Sequence, residues 1–290
     1  MDVLRVGSLA DALAAKARRP DAVPIAGGTD LMVGINAGWD RPPAILDLSA
    51  VDELRHWERG DEVVLGAGLT YRLILGELAD ERALTQAARA VGSPQIRNRG
   101  TVGGNVGTGS PAGDLLPVLA AADASIELGS DAGGRRAVAW HAFFTGPKRT
   151  TIAPDELILG VRWRRRRGPS VFAKVGPRNA MVISVCSLCL QVDEDDRAIR
   201  LALGSVGPTV LRADDAEAFG AAAIEEAGGW ADPARPLDDA AVARFAELAA
   251  GAARPIDDLR GTSAYRRHAI GVLAGRALRW VLADRAAEAP

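Results

Sequence analysis

Glycine is spread unevenly along this chain, and two clusters of it constrain the fold more than any other feature. The first lies in Pro24-Ile25-Ala26-Gly27-Gly28-Thr29-Asp30-Leu31. Val23 to Ala26 reads as a short apolar strand, two glycines follow, and Thr29 to Asn36 can start a helix. A turn of this kind presents successive backbone N–H groups at a helix N-terminus, which suits an anion such as a phosphate. The same residues allow a plain turn capped by Thr29 or Asp30. The second cluster, Gly100 to Gly113, reads as a long loop with six glycines in fourteen residues, interleaved with Thr, Asn and Ser. Each glycine costs backbone entropy and brings no side chain, so packing alone is a poor reason for so many; close approach of the backbone to a ligand is a better one. Neither cluster has the GxGxxG or GxxxxGK[ST] spacing of the common dinucleotide and NTP folds.

Around these clusters the pattern predicts a helix over Leu9 to Arg18 capped by Ser8, strands at Ala44 to Leu48 and Glu62 to Leu65, and a helix over Glu77 to Val91. An apolar helix at Leu115 to Ala122 precedes strands at Ser125 to Leu128, Arg136 to Trp140 and Leu157 to Trp163. Four arginines, 164 to 167, followed by Gly168-Pro169 read as a domain boundary and a solvated linker; a dock for an acidic partner is the other reading. Beyond it come apolar segments at Val182 to Val192 and Ile199 to Val206. Helices are expected near Ala213 to Ala227, Asp238 to Ala253 and Ser263 to Ala287, the pattern of an α+β domain.

Several classes fall away. A net charge of -2 over 290 residues is no electrostatic footprint for nucleic acid. No apolar run is long enough for a membrane span, and Met1 to Arg5 lacks the plan of a signal peptide, so the expectation is a cytoplasmic protein. The two cysteines, Cys186 and Cys189, form a CxxC inside an apolar run with no second pair to complete a metal site, and read as core. His56, His141 and His268 are scattered over different elements, so no metal site and no catalytic triad is expected.

The pair IAGGTDL (25–31) and IRNRGTVGGNVGTGSPAGD (96–114) resembles the FAD-binding subunit of molybdenum hydroxylases, the family of xanthine dehydrogenase and carbon monoxide dehydrogenase flavoproteins. The likeness extends to PDELILGVRW (154–163) and FAKVGPRNAMVIS (172–184). It implies an α+β protein: a bipartite FAD-binding domain of the PCMH/VAO-like type over residues 1–168, with subdomains of about 1–52 and 53–168, then a smaller α+β domain over 169–290. It also implies that Ile25, Ala26, Gly27, Gly28, Thr29, Asp30 and Leu31 hold the FAD pyrophosphate from one side, and Thr101, Gly104 and Asn105 from the other.

By the same resemblance Asp114 meets a ribose hydroxyl; from the residues alone it also fits a helix N-terminus favoured by the dipole. Thr108 and Ser110 either bond the ligand or shape the loop. Val91 and Ile158 are flavin contacts or core, and Lys174 is a cation at the flavin's exposed end or a surface lysine. Where the carbon monoxide branch has an aspartate-tyrosine pair after Lys-Val-Gly, this chain has Pro177-Arg178-Asn179, a lean toward other hydroxylases.

The activity implied is electron transfer without catalytic acid or base on this chain. Electrons pass from 2Fe-2S clusters on a small partner, fed by a molybdopterin cofactor on a large partner, through FAD to NAD or another acceptor. A free-standing flavin oxidoreductase is the alternative. A flavin-free scaffold would have lost glycines such as Gly27, Gly28, Gly103 or Gly104, and all four are present.

Overall fold

The computed structural model describes residues 1–288. In chain order its elements are β1 (Asp2–Arg5), α1 (Leu9–Arg18), β2 (Ala22–Ile25), α2 (Leu31–Asn36), β3 (Ala44–Asp47), a 3-10 turn (Asp52–Arg55), β4 (Trp57–Arg59) and β5 (Glu62–Gly66). There follow α3 (Tyr71–Glu77), α4 (Arg82–Ala90), α5 (Pro94–Arg99), α6 (Val102–Thr108), α7 (Leu116–Ala121), β6 (Ser125–Ser130), β7 (Gly134–Ala139), α8 (Trp140–Phe143), β8 (Phe144–Gly146), β9 (Arg149–Thr150) and β10 (Leu157–Arg164). The remainder is β11 (Ser170–Val175), β12 (Cys186–Asp193), β13 (Ala198–Gly204), β14 (Leu211–Arg212), α9 (Asp214–Glu226), α10 (Asp239–Ala252) and α11 (Ser263–Glu288).

These elements form two compact units that are not contiguous in sequence. The first comprises Met1–Glu77, Val91–Ser110 and Asp123–Arg165; the second takes Leu78–Ala90, Pro111–Ala122 and everything from Arg166. A single cut after residue 168 therefore does not describe the packing, because α4 lies against β11, and α7 against β12 and β13. Gln86 of α4 accepts the Phe172 N–H of β11 at 2.8 Å, and the carbonyl of Ala120 in α7 accepts from Arg212 at 3.1 Å.

The first unit holds a three-stranded parallel sheet, β1-β3-β2, and a five-stranded antiparallel sheet, β4-β5-β10-β6-β7. Ser8 caps α1 by accepting the Asp11 N–H at 3.1 Å, a bond of the kind that contributes about 1 kcal/mol. That helix buries Ala12 and Ala15 against Leu46, Leu54, Leu157 and Leu159. The second unit is a four-stranded antiparallel sheet, β11-β12-β13-β14, whose Leu188 and Leu201 pack with Phe245, Ile270 and Leu278 from α10 and α11. Its strands bury residues on both faces, which is why β12 reads as one apolar run.

Three expectations need correcting. The glycine-rich "loop" contains α6: Thr101 accepts the Gly104 N–H at 3.1 Å as N-cap, Val102 and Val106 anchor one face in the core, and Gly109 ends the helix at φ 55. Tertiary anchoring thus outweighs the poor helix propensity of its glycines. The single helix over 77–91 is instead α3 and α4, broken between Leu78 and Glu81. β1 and β11 went unread, because four and six residues without clean alternation give little periodic signal. The arginine run is solvated at Arg164, Arg165 and Arg167, as expected, but not at Arg166. Arg164 ends β10, Arg166 is half-buried, its side chain 9% exposed, with its Nε 2.8 Å from Asp193 and an N–H bonded to the Ala122 carbonyl at 2.6 Å, and Arg167 pairs with Asp195 at 2.6 Å.

Candidate functional site

In the first unit, β2 ends at Ile25, whose carbonyl accepts the Leu48 N–H at 2.8 Å and so closes the parallel ladder. The chain then turns through Ala26, Gly27 and Gly28. A Cβ on Gly27 would overlap the carbonyl of Arg99, so this glycine allows the first glycine segment to touch the second. Gly28 adopts φ +72, a left-handed conformation that favours glycine. As a result, the N–H groups of Gly27, Gly28, Thr29 and Asp30 donate to no carbonyl or side chain among the described residues. Leu31 then opens α2, the Met32 N–H bonding the Gly28 carbonyl at 3.2 Å.

The second segment contributes α6. Gly104, Gly107 and Thr108 recur at helical spacing and share one face, on which Gly104 and Gly107 are exposed. Thr108 donates its hydroxyl hydrogen to Asp30 Oδ2 at 3.1 Å. The exposed face of α6 at Gly104 and Gly107 therefore carries no side chain, and its end meets the first glycine segment through Thr108. Asn105 has a buried side-chain oxygen, Oδ1, with no hydrogen-bond partner. Ile158 of β10 packs against the core and lies close to Gly107, so the two readings of it, core and site wall, both describe its place. Val91 offers its carbonyl to Arg97 at 3.0 Å.

Bare amides, an orphaned amide oxygen and a strip that lacks side chains fit a polyanionic, hydroxyl-bearing ligand such as FAD, which needs donors for its diphosphate and close backbone approach. The sequence-derived residues Ile25 to Leu31, Thr101, Gly104, Asn105, Thr108 and Ile158 thus all belong to one unit. Asp47 was missed. It ends β3 in register with Ile25, accepts the Ser49 N–H at 2.9 Å, and would be raised by burial but is held below the ordinary carboxylate range by Ser49, Arg5 and Arg99. An Asp before Leu-Ser looks like any strand-ending turn, so its sequence carried no signal.

Asp114 and Lys174, expected to serve the flavin separately, lie in the second unit as partners of each other. Lys174 Nζ sits 2.6 Å from Asp114 Oδ2 and donates to the Ala90 carbonyl at 3.1 Å; Ser184 donates to Asp114 Oδ1 at 2.7 Å. Asp114 is 6% exposed, and burial raises its carboxyl above the usual range against the pull of Lys174 and Ser184. Lys174 is accordingly no surface lysine: its side chain is 10% exposed. Ser184 was not foreseen, because a serine before an apolar strand has no distinguishing pattern.

Among the described residues no group of three or more His, Cys, Asp or Glu could hold a metal ion. Burial pushes the Cys186 thiol up to about 11 and the Cys189 thiol up to about 12, the values of inert core cysteines.

Comparison with known proteins places the chain among flavoproteins. Residues 1–163 match the FAD binding domain in molybdopterin dehydrogenase, and residues 233–281 match the CO dehydrogenase flavoprotein C-terminal domain. The nicotinate dehydrogenase FAD-subunit of Eubacterium barkeri is 35% identical over 62% of this chain and 63% of that protein. The putative xanthine dehydrogenase FAD-binding subunit of Escherichia coli is 31% identical over 73% and 76% respectively. A solved structure of CO dehydrogenase from Oligotropha carboxidovorans superposes with a TM-score of 0.85 at 26% identity, covering 98% of both chains.

Proposed function

Given that this chain belongs to the family of FAD-binding domains of molybdopterin dehydrogenases, we propose that it is the FAD-carrying electron-transfer subunit of a molybdenum hydroxylase complex. The observation that carries this reading is the row of bare N–H groups from Gly27 to Asp30, in a segment tied by Asp30 to Thr108 of α6, the helix that leaves Gly104 and Gly107 exposed. Backbone donors of this kind neutralise a diphosphate without lysine, of which the chain has only Lys16, Lys148 and Lys174. Gly104 admits the cofactor to the α6 backbone, Thr101 fixes the helix end, and Asn105 Oδ1 accepts from a ligand hydroxyl. When bound, FAD supplies a carrier that accepts electrons one or two at a time.

Asp114 and Lys174 serve the cofactor as a coupled pair in this proposal. The ammonium has three donors and two are engaged, by Asp114 and the Ala90 carbonyl, leaving one for a ligand oxygen. Asp114 keeps a free lone pair on each oxygen for a ribose hydroxyl, while Ser184 holds its orientation. Electrons are delivered by 2Fe-2S clusters of a small partner subunit, themselves fed from a molybdopterin cofactor on a large one, and leave to NAD or another acceptor. The complex is placed in the cytoplasm, a reducing compartment in keeping with the unpaired cysteines.

The test is an anaerobic visible absorption spectrum of the chain loaded with FAD, before and after NADH. A stoichiometric flavin spectrum that bleaches establishes cofactor and acceptor together. A flavin indifferent to NADH removes NAD as acceptor, and a chain that takes up no FAD sinks the reading.

A further inference from the structure

Asp30 is the N-cap residue of α2, a position from which an aspartate ordinarily accepts an N–H of the first helical turn. Here it makes no such bond; its Oδ2 accepts instead from the hydroxyl of Thr108, seventy-eight residues away and at the far end of α6. The carboxylate also stands beside the bare N–H groups of Gly27 to Asp30, where a negative charge is a poor neighbour for a bound anion unless it is engaged elsewhere. The two glycine segments touch at two places, Gly27 against the Arg99 carbonyl and Asp30 against Thr108, and the bare amides lie between them.

We infer that the Asp30–Thr108 hydrogen bond is a clasp that sets the spacing between the first glycine segment and α6, so that both are pre-organised for the diphosphate of the cofactor. This rests on the flavin reading and deepens it: Asp30 and Thr108 act as positioning residues through each other, not through side-chain contact with the ligand. Pre-organisation raises affinity because the bound geometry need not be ordered at the moment of binding.

The test is a double-mutant cycle on FAD affinity of the full chain, read by flavin fluorescence quenching, with the melting temperature of the apo chain as control. Asp30→Ala and Thr108→Val each raise the FAD dissociation constant about tenfold, as expected for loss of one charge-assisted hydrogen bond. The double variant is no worse than either single, and Thr108→Ser restores wild-type affinity because the hydroxyl returns. Additive losses, or an effect of Thr108→Val without one of Asp30→Ala, mean independent contacts and overturn the clasp alone. A wild-type chain that takes up no FAD overturns both the clasp and the reading beneath it.

Discussion

The two units treat their polar groups in opposite ways. In the first, among the described residues, the backbone N–H groups of Gly27 to Asp30 and the Asn105 oxygen of α6 lack partners. In the second, buried charges are matched: Asp114 with Lys174 and Ser184, Arg266 with Asp258 and the Val185 and Ser205 carbonyls, Arg285 with Glu194 and the Gly229 carbonyl, Asp193 with Arg166 and Arg200. A buried polar atom without a partner, such as Asn105 Oδ1, is costly, whereas the N–H groups of the partly exposed Gly27 to Asp30 are open to solvent or a ligand. Paired buried charges hold loops and sheet ends together and are strongly destabilising only when one partner is removed.

That contrast can be broken most directly in the second unit. Lys174→Met leaves Asp114 as an uncompensated buried charge and is expected to destabilise the apo chain by about 3–5 kcal/mol in chemical denaturation. The pair Asp114→Asn with Lys174→Met recovers much of the loss. Unchanged apo stability for Lys174→Met would show that the lysine serves only a ligand.

A smaller effect separates the glycines of the first unit. Gly27→Ala drives a methyl into the Arg99 carbonyl, so the backbone must shift, at about 1–3 kcal/mol by thermal denaturation. Gly104→Ala goes the other way. Its Cβ meets only Thr101 Oγ1, at 3.1 Å, and alanine favours a helix by up to about 1 kcal/mol over glycine, so the melting temperature holds or rises while FAD affinity falls. Loss of stability and affinity together in Gly104→Ala would erase the distinction between a packing glycine and a ligand glycine; Gly104→Val should abolish flavin binding with the fold largely kept.

The smallest effect concerns the thiols. With Cys186 held at about 11 and Cys189 at about 12, almost no thiolate exists at pH 8, and both should resist alkylation until denaturant is added. Rapid labelling of the native chain would contradict the core reading of the CxxC.

Much of this was legible in the sequence for particular reasons. The helix Leu9–Arg18 and its Ser8 cap declare themselves through apolar spacing and a capping serine. Gly27-Gly28 announce a turn between a strand and a helix. By contrast α6 hides behind its glycines, since nothing local distinguishes a glycine-rich helix held by Val102 and Val106 from a loop. The partnering of Arg166 is likewise invisible, because a run of four arginines looks solvated until Asp193 and the Ala122 carbonyl are brought to one of them.

Local chemistry alone determined that this chain carries two glycine segments, a CxxC inside an apolar strand, and strands and helices of an α+β protein. Motif order tied those segments to a flavoprotein family. Tertiary structure decided what spacing along the chain cannot: that Asp30 reaches Thr108, that Asp114 and Lys174 hold each other, and that α4 and α7 pack with residues far downstream. The physical reason is that backbone conformation and capping depend on neighbours a few residues apart, whereas contacts such as Asp114–Lys174 and Asp30–Thr108 join residues 60 and 78 positions apart, whose approach only the folded chain specifies.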